Sequence, residues 1–271
     1  MATRDDEALW IRGFRPPGGA AVRLVCFPHA GGSASFYGPM ARSFPPQAEV
    51  LAVQYPGRQD RRSEPVVRDI RELARRIAPV LEPAVAAGPV AFFGHSMGAV
   101  VAFETVRELQ RRTGRAPVAL FASGRRGPST VRRESLHRDG DEAILAELRA
   151  LNGTDSVILQ DDDLLRMVLP ALRGDYQAIE TYRCAPDATV DCPVLALIGD
   201  RDPRVTAEEA RVWQRHTTGR FDLQFFDGGH FYLVPRATEV MDRVAAGLQE
   251  YAAVPVDPTP RAAGRTAAPG C

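Results

Sequence analysis

A serine in an unusual local setting is the strongest chemical signal in this chain. The segment Gly94-His95-Ser96-Met97-Gly98 follows an apolar, β-prone run and precedes a helical pattern of small residues. Gly-x-Ser-x-Gly between a strand and a helix is typical of a nucleophile elbow, a tight turn that exposes the serine hydroxyl. The helix also directs its first N–H groups towards negative charge that forms beside the serine. Ser96 is therefore the candidate nucleophile.

A serine hydroxyl needs a neighbouring base to become a nucleophile at neutral pH. In α/β-hydrolases the acid and then the histidine follow the serine along the chain, which excludes His29 and His95 among the five histidines. His137 precedes every candidate acid at a strand end, and His216 lies in an amphipathic helical pattern typical of a surface residue. His230 follows two glycines in the loop after the last predicted strand. The sequence therefore predicts His230 as the base.

The histidine in turn needs a carboxylate that fixes its tautomer and stabilises its charged form. The buried-strand pattern 195–199 ends in a loop that holds two acids, Asp200 and Asp202. We assign Asp202, because its spacing clears the strand end and Pro203 holds the turn. Asp200 is the alternative, and it could instead cap the loop or pair with a neighbouring arginine.

A tetrahedral oxyanion needs backbone N–H donors, each of which stabilises the transition state by roughly 3 kcal/mol. One donor is the residue after the nucleophile, which is Met97. The other should come from the small-residue loop 27–33, where the backbone can approach closely. We assign Ala30 to this position, with Gly31 as the alternative.

Short apolar runs alternate with longer helical patterns along the chain. This alternation predicts an α/β protein with the α/β-hydrolase fold, a mostly parallel sheet flanked by helices. The predicted strands are Val22–Phe27, Val50–Gln54, Val90–Gly94, Val118–Ala122, Val194–Gly199 and Asp222–Phe226. The predicted helices are Val67–Val85, Ala99–Thr113, Ala207–Thr217 and Thr238–Ala252.

Residues 125–183 break this rhythm, because they are longer than one crossover helix requires. They contain two helical patterns, Asp141–Leu151 and Asp161–Glu180. An insertion here would cover the carboxyl ends of the strands, where open α/β sheets bind ligands, so we predict a helical lid; two ordinary packing helices are the alternative. The lid belongs to one α/β-hydrolase domain, residues 1–251, and the Pro- and Ala-rich residues 252–271 are predicted to be a disordered tail.

Composition narrows the possible chemistry. All 34 basic residues are arginines, which excludes a Ser–Lys dyad and a Schiff-base lysine. The formal net charge is zero, so no overall field attracts nucleic acid or a membrane surface. With no secretory signal or membrane span in the sequence we expect a cytoplasmic protein with free thiols, no metal and no cofactor. The cysteines, which lack metal-ligand spacing, are Cys26, Cys184, Cys192 and Cys271.

Five segments match, in order, the motifs of one known family. They are Phe27–Gly32, Tyr55–Arg61, Gly94–Gly98, Leu169–Tyr176 and Gly228–Phe231. Together they resemble type II thioesterases, the stand-alone editing hydrolases of polyketide and nonribosomal peptide assembly lines. By position, the resemblance assigns the catalytic roles to Ser96, Asp202 and His230. It implies hydrolysis of an acyl group from the phosphopantetheine arm of an acyl or peptidyl carrier protein, through an acyl-enzyme.

The resemblance also suggests how a partner would bind. Carrier proteins are usually acidic, so an arginine patch near the site entrance would help docking. We otherwise expect a monomer. The competing functions are a medium-chain fatty acyl thioesterase, a general serine esterase and a non-catalytic binding scaffold. The candidate docking residues, all in loops near strand ends, are Arg58, Arg61, Arg62, Arg125 and Arg126.

Overall fold

A seven-stranded, mostly parallel sheet forms the centre of the molecule. The computed structural model describes residues 4–15, 21–45, 48–151 and 162–252. The strands follow the order β1-β3-β2-β4-β5-β6-β7, and every neighbouring pair is parallel except β1 and β3. The strands are β1 (Ile11–Gly13), β2 (Val22–Phe27), β3 (Ala48–Val53), β4 (Val90–His95), β5 (Ala119–Ser123), β6 (Val194–Gly199) and β7 (Phe221–Phe226).

Helices cover both faces of this sheet. The sequence-based helix predictions are confirmed to within a few residues, apart from two details. The predicted helix Ala207–Thr217 divides into a short α-helix and the 3₁₀ turn Val212–His216, and Asp161 lies outside the described residues. The helices are α1 (Arg4–Trp10), α2 (Gly38–Ser43), α3 (Ile70–Ala87), α4 (Met97–Thr113), α5 (Asp141–Leu151), α6 (Asp162–Thr181), α7 (Ala207–Arg211) and α8 (Ala237–Ala252).

The core has two layers because alternate residues of a strand face opposite sides of the sheet. In β4, Phe92 packs into the cluster beneath α3 and α4, whereas Phe93 packs into the cluster beneath α2 and α8. All six residues of β4 are buried, as expected for a central parallel strand covered on both faces. The strand that precedes Ser96 is therefore held at the centre of the sheet, whereas β7, which precedes His230, is an edge strand.

Residues 125–183, here called the inserted segment, connect β5 to β6. Where the structure describes this segment, it contains the 3₁₀ turn Leu136–Arg138, α5 and α6. Its function as a lid stays a prediction, and residues 253–271 of the predicted tail lie outside the described ranges. Among the described helices, none combines the length and apolar character needed to cross a membrane.

Candidate active site

Ser96 occupies a strained turn between β4 and α4. Its backbone has φ 54° and ψ −118°, which is rare for a residue other than glycine and costs about 1–3 kcal/mol. The turn is held from the next strand, because the Ser96 N–H donates to the Ser123 carbonyl at 2.8 Å. A Cβ on Gly94 would lie 2.3 Å from the Gly98 carbonyl oxygen, and one on Gly98 would lie 2.0 Å from the Phe27 oxygen. Both glycines are therefore required sterically for the helix to start here.

His230 and Asp202 meet in the loops after β7 and β6. The His230 Nδ1 lies 2.8 Å from the Asp202 Oδ2, and both residues are buried. The other Asp202 oxygen accepts the Arg204 N–H at 2.8 Å, so the carboxylate is held at both ends. A carboxylate at Nδ1 assigns the proton of a neutral imidazole to that nitrogen, which leaves Nε2 as an acceptor.

Asp200, the alternative acid, joins the same two loops instead of contacting the histidine. Its Oδ1 accepts the Gly228 N–H at 2.9 Å, and its own N–H donates to the Phe226 carbonyl at 2.8 Å. The Arg201 N–H adds a third bond, to the Gly228 carbonyl at 2.9 Å. Asp200 therefore helps to hold the loop after β6 against the loop after β7.

A cavity of about 430 Å³ opens beside the serine. Ser96, His230, Met97 and the loop 29–33 line one side of it. Aliphatic side chains of the inserted segment, among them Leu148, line the other side. An apolar chamber beside a candidate nucleophile fits the hydrocarbon part of an acyl group.

The two candidate oxyanion donors also border this cavity. Met97 is the first residue of α4, so its N–H has no acceptor within the helix. The Ala30 N–H makes no hydrogen bond to the part of the chain that the structure describes. The alternative, Gly31, donates its N–H to the Asp175 Oδ2 at 2.8 Å, which directs it away from the cavity. Of the two loop amides, only that of Ala30 is free to meet a substrate oxygen.

A buried ion pair holds this loop, and the sequence analysis did not identify it. Asp175 of α6 accepts two hydrogen bonds from the Arg58 guanidinium, at 2.7 and 2.9 Å, and one from the Gly31 N–H. Arg58 also donates to the Gly32 carbonyl at 3.1 Å. Both side chains are almost fully buried. The only sequence signal was that both residues lie in family-like motifs, Tyr55–Arg61 and Leu169–Tyr176.

Two further histidines lie behind the candidate base. The ring centroid of His95 is 5.0 Å from that of His230, and His29 is 6.0 Å from His95. Burial lowers the pKa of His29 to about 3 and lowers that of His95 well below its usual value. Both rings are therefore neutral at physiological pH and add no positive charge beside His230.

The prediction that His216 is a surface residue is wrong. Its ring is buried in the turn Val212–His216, where Nδ1 contacts the Ala188 carbonyl and Nε2 contacts the Ser129 hydroxyl, each at 2.7 Å. An amphipathic pattern shows that one face is apolar but does not show which polar residue finds a buried partner. His137 hydrogen-bonds Glu180 of α6.

The predicted arginine docking patch is also wrong for three of its five members. Arg58 pairs with Asp175, Arg61 pairs with Glu64 at 2.6 Å, and Arg126 pairs with Glu134 at 2.5 Å, all with buried guanidinium groups. Arg62 is exposed, and Arg125 lines the cavity. These buried arginines hold loops together, so they do not form a surface for an acidic partner.

A parallel sheet with a strained serine after β4, an acid after β6 and a histidine after β7 defines the α/β-hydrolase fold. The family model described as the thioesterase domain matches residues 22–248. The chain therefore belongs to the thioesterase family. It is a thioester hydrolase and belongs to the serine hydrolases.

Individual relatives agree with this assignment. The chain is 52% identical to thioesterase PikA5 of Streptomyces venezuelae over 240 residues, 89% of this chain and 85% of the relative. It is 52% identical to a probable cadicidin biosynthesis thioesterase of Streptomyces griseus over 256 residues, covering 94% and 70%. Among solved structures, the type II thioesterase BorB from the borrelidin biosynthetic cluster gives a TM-score of 0.82 at 50% identity, covering 89% and 98%. The resemblance to type II thioesterases is confirmed.

Proposed function

We propose that this protein hydrolyses acyl groups from the phosphopantetheine arm of carrier proteins of a polyketide or nonribosomal peptide pathway. The single observation that carries the mechanism is the contact between His230 Nδ1 and Asp202, with Ser96 on the same cavity. The pathway class is supported by the names of the relatives, which include thioesterases of the cadicidin and borrelidin pathways. The apolar cavity wall supports an acyl substrate.

The reaction begins with attack of the Ser96 oxygen on the thioester carbonyl carbon. His230 Nε2 takes the hydroxyl proton, and Asp202 stabilises the imidazolium that results. The carbonyl oxygen becomes an oxyanion, which accepts hydrogen bonds from the N–H groups of Ala30 and Met97. These two amides are preorganised: one is held by its loop and the other by the start of α4.

Collapse of the tetrahedral intermediate breaks the carbon–sulfur bond. The pantetheine thiol has a pKa near that of cysteine, about 8.5, so sulfur leaves readily and takes up the proton from His230. The acyl group is now an ester on Ser96. His230 then removes a proton from water, which attacks this ester, and a second collapse releases the carboxylic acid and restores the serine hydroxyl.

The neighbouring histidines support this use of His230. Because His29 and His95 stay neutral, they do not oppose the positive charge that His230 acquires in each transition state. Asp200 supports it differently, since its hydrogen bonds hold the histidine loop against β6. The general base is thus oriented by one carboxylate while a second fixes its loop.

The test is a panel of carrier proteins loaded with acyl chains of varied length and oxidation state. We expect release of the free acid by the parent, and a loss of about 10⁵- to 10⁶-fold in kcat for Ser96→Ala. Mass spectrometry of the quenched parent should show the acyl group on Ser96. The control is Ser43→Ala, because Ser43 is exposed on α2 and its loss should not alter kcat.

Two outcomes would contradict the proposal. A parent no more active than Ser96→Ala would indicate a non-catalytic binding protein. Faster turnover of nitrophenyl esters than of acyl-pantetheine thioesters of equal chain length would indicate a general esterase.

A further inference from the structure

Charged side chains line part of the acyl cavity, and aliphatic side chains line another part. Glu134 accepts hydrogen bonds from Arg126, at 2.5 Å, and from Arg204, at 3.1 Å. Arg204 also donates to Glu147 at 2.7 Å. Every one of these ionic groups therefore has a partner of opposite charge within the protein.

Arg125 is the exception among these charged side chains. It lines the cavity and is partly buried, but its guanidinium donates no hydrogen bond and forms no ion pair to any residue in the described ranges. Burial and the adjacent Arg126 charge lower the pKa of Arg125 to about 9, and the Glu134 charge opposes them only in part, so Arg125 is charged at neutral pH. A poorly solvated cation without a partner is unfavourable, and an oxygen acceptor from a ligand would relieve that cost.

The backbone around Arg125 is fixed close to the reacting groups. The Arg125 carbonyl accepts the Trp213 indole N–H at 2.8 Å, and the Gly124 N–H donates to the Leu197 carbonyl at 2.8 Å. A Cβ on Gly124 would lie 3.5 Å from the His230 Cε1. The backbone just before Arg125 therefore passes close to the proposed base, whereas the pantetheine phosphate is at the far end of its arm from the thioester.

Tyr176 supplies a second polar group on the same cavity. It lies on α6, and its hydroxyl donates no hydrogen bond to the described part of the chain. Burial, followed by the nearby Glu147 charge, raises the pKa of this hydroxyl, so it keeps its proton and can act as a donor. Two unused donors beside the aliphatic part of the cavity lining favour a ligand that carries oxygen acceptors.

We propose that Arg125 and Tyr176 form an oxygen-binding subsite, which favours acyl groups bearing a keto or carboxylate oxygen over plain hydrocarbon chains. This inference rests on the proposed function, because it concerns the acyl group that Ser96 would accept. Arg125 would discriminate most, since a hydrocarbon chain leaves its charge unpaired whereas a substrate oxygen accepts from it.

The test compares Arg125→Met with the parent on three pantetheine thioesters of equal chain length: hexanoyl, 5-oxohexanoyl and the ω-carboxylate hexanedioyl. Methionine keeps an unbranched apolar side chain and removes the charge and the donors of the guanidinium. We expect kcat/KM for an oxygen-bearing chain, divided by that for hexanoyl, to fall about tenfold, or about 1.4 kcal/mol. The keto and carboxylate arms show which oxygen the subsite prefers. Tyr176→Phe should shift the same ratio less.

The matched control is Arg133→Met, because Arg133 is exposed on the same connection and does not line the cavity. Its substrate ratios should equal those of the parent. Urea unfolding gives a second readout: Arg125→Met should be no less stable than the parent, since Arg125 has no hydrogen-bond or ion-pair partner to lose among the described residues.

The proposal is overturned if Arg125→Met lowers kcat/KM by the same factor on all three chains, which would place the shared pantetheine arm at Arg125. It is equally overturned if none of the ratios changes, which would make solvent the partner of this guanidinium. Failure of the proposed function looks different, because the parent would then hydrolyse none of the three thioesters.

Discussion

The loops at the carboxyl ends of the strands and the inserted segment form the two halves of the site by different physical means. In the loops, Ser96, Asp202 and His230 are placed by backbone geometry: a strained turn, glycines that allow close approach, and backbone hydrogen bonds between loops. The inserted segment is joined to the rest of the chain by apolar packing and by side-chain ion pairs. Examples of these pairs are Asp175 with Arg58 and Arg132 with Glu209.

This difference separates the residues proposed to carry out catalysis from those that would determine substrate preference. Backbone contacts between strands are shared by the whole sheet and leave little freedom, which suits groups that must be held within a fraction of an ångström. Ion pairs between side chains can be exchanged without altering the sheet, so the inserted segment can vary the residues that line the cavity while the three proposed catalytic residues stay in place. We therefore expect substitutions in the loops at the carboxyl ends of the strands to alter kcat. Substitutions in the inserted segment should alter stability or substrate preference.

The largest expected effect separates the two acids of the loop after β6. Asp202→Asn removes the acceptor that fixes the His230 tautomer, and kcat should fall about 10⁴-fold. Asp200→Asn keeps an oxygen that can accept the Gly228 N–H, so its loss in kcat should stay below about tenfold. Steady-state kinetics on one acyl-pantetheine thioester measure both. Equal losses in kcat for the two variants would contradict the assignment of Asp202, because contact with His230 would then not distinguish the two acids.

The next effect tests where the two regions are joined. Asp175→Ala leaves the buried Arg58 without its partner, which should lower the free energy of unfolding by about 3–5 kcal/mol. It also releases the Gly31 N–H, so kcat should fall about 10- to 100-fold with little change in KM if the loop carries an oxyanion donor. Urea unfolding and steady-state kinetics provide the measurements.

Two further variants make that test sharper. Asp141→Ala removes an exposed ion pair with Arg173 in the same segment, and it should cost less than about 1 kcal/mol. The double variant Arg58→Met, Asp175→Leu should recover much of the stability, because apolar groups can replace a buried pair. Its kcat should stay low. Recovery of kcat together with stability would show that the pair only supports the fold.

The smallest effect concerns His29, which faces His230, His95 and Arg58. Burial lowers the pKa of His29 to about 3 in the folded protein, whereas in the unfolded chain the imidazole has a pKa near 6.5. Between these two pH values the unfolded chain therefore binds one more proton than the folded protein. The free energy of unfolding should therefore fall as pH drops through this window, by at most about 1.4 kcal/mol per pH unit from this residue. In His29→Asn the free energy of unfolding should depend less steeply on pH, by the contribution of one proton. An unchanged slope would mean that folded His29 titrates near pH 6.5.

Features set by local geometry could be predicted from the sequence. The strands of the parallel sheet and the turn at Ser96 follow from short-range patterns: apolar runs, glycine spacing and helix periodicity. Strand β1 was missed, because Ile11–Gly13 is too short to show alternation. It adds an antiparallel edge to β3 and does not contribute to the site.

Features set by contact across the chain could not be predicted in the same way. Asp175 contacts Arg58 across 117 positions and Gly31 across 144, so no local pattern marks it as a partner of the oxyanion loop. The same limit explains the error over Arg58. Arg61 and Arg126 pair with residues close in sequence, and what the sequence did not show is that their guanidinium groups are buried. The limit also explains His216, whose two hydrogen bonds depend on loops far from it along the chain.

The sequence by itself determined the order of the elements and the serine on its turn, because backbone sterics and hydrophobic periodicity act over a few residues. Only the tertiary structure decided that Asp202 meets His230 while Asp200 joins the two loops. It also decided that, within the described ranges, neither the Ala30 N–H nor the Arg125 guanidinium has a hydrogen-bond partner. Each of these depends on distances through space between distant residues, and hydrogen bonds and ion pairs are decided by those distances.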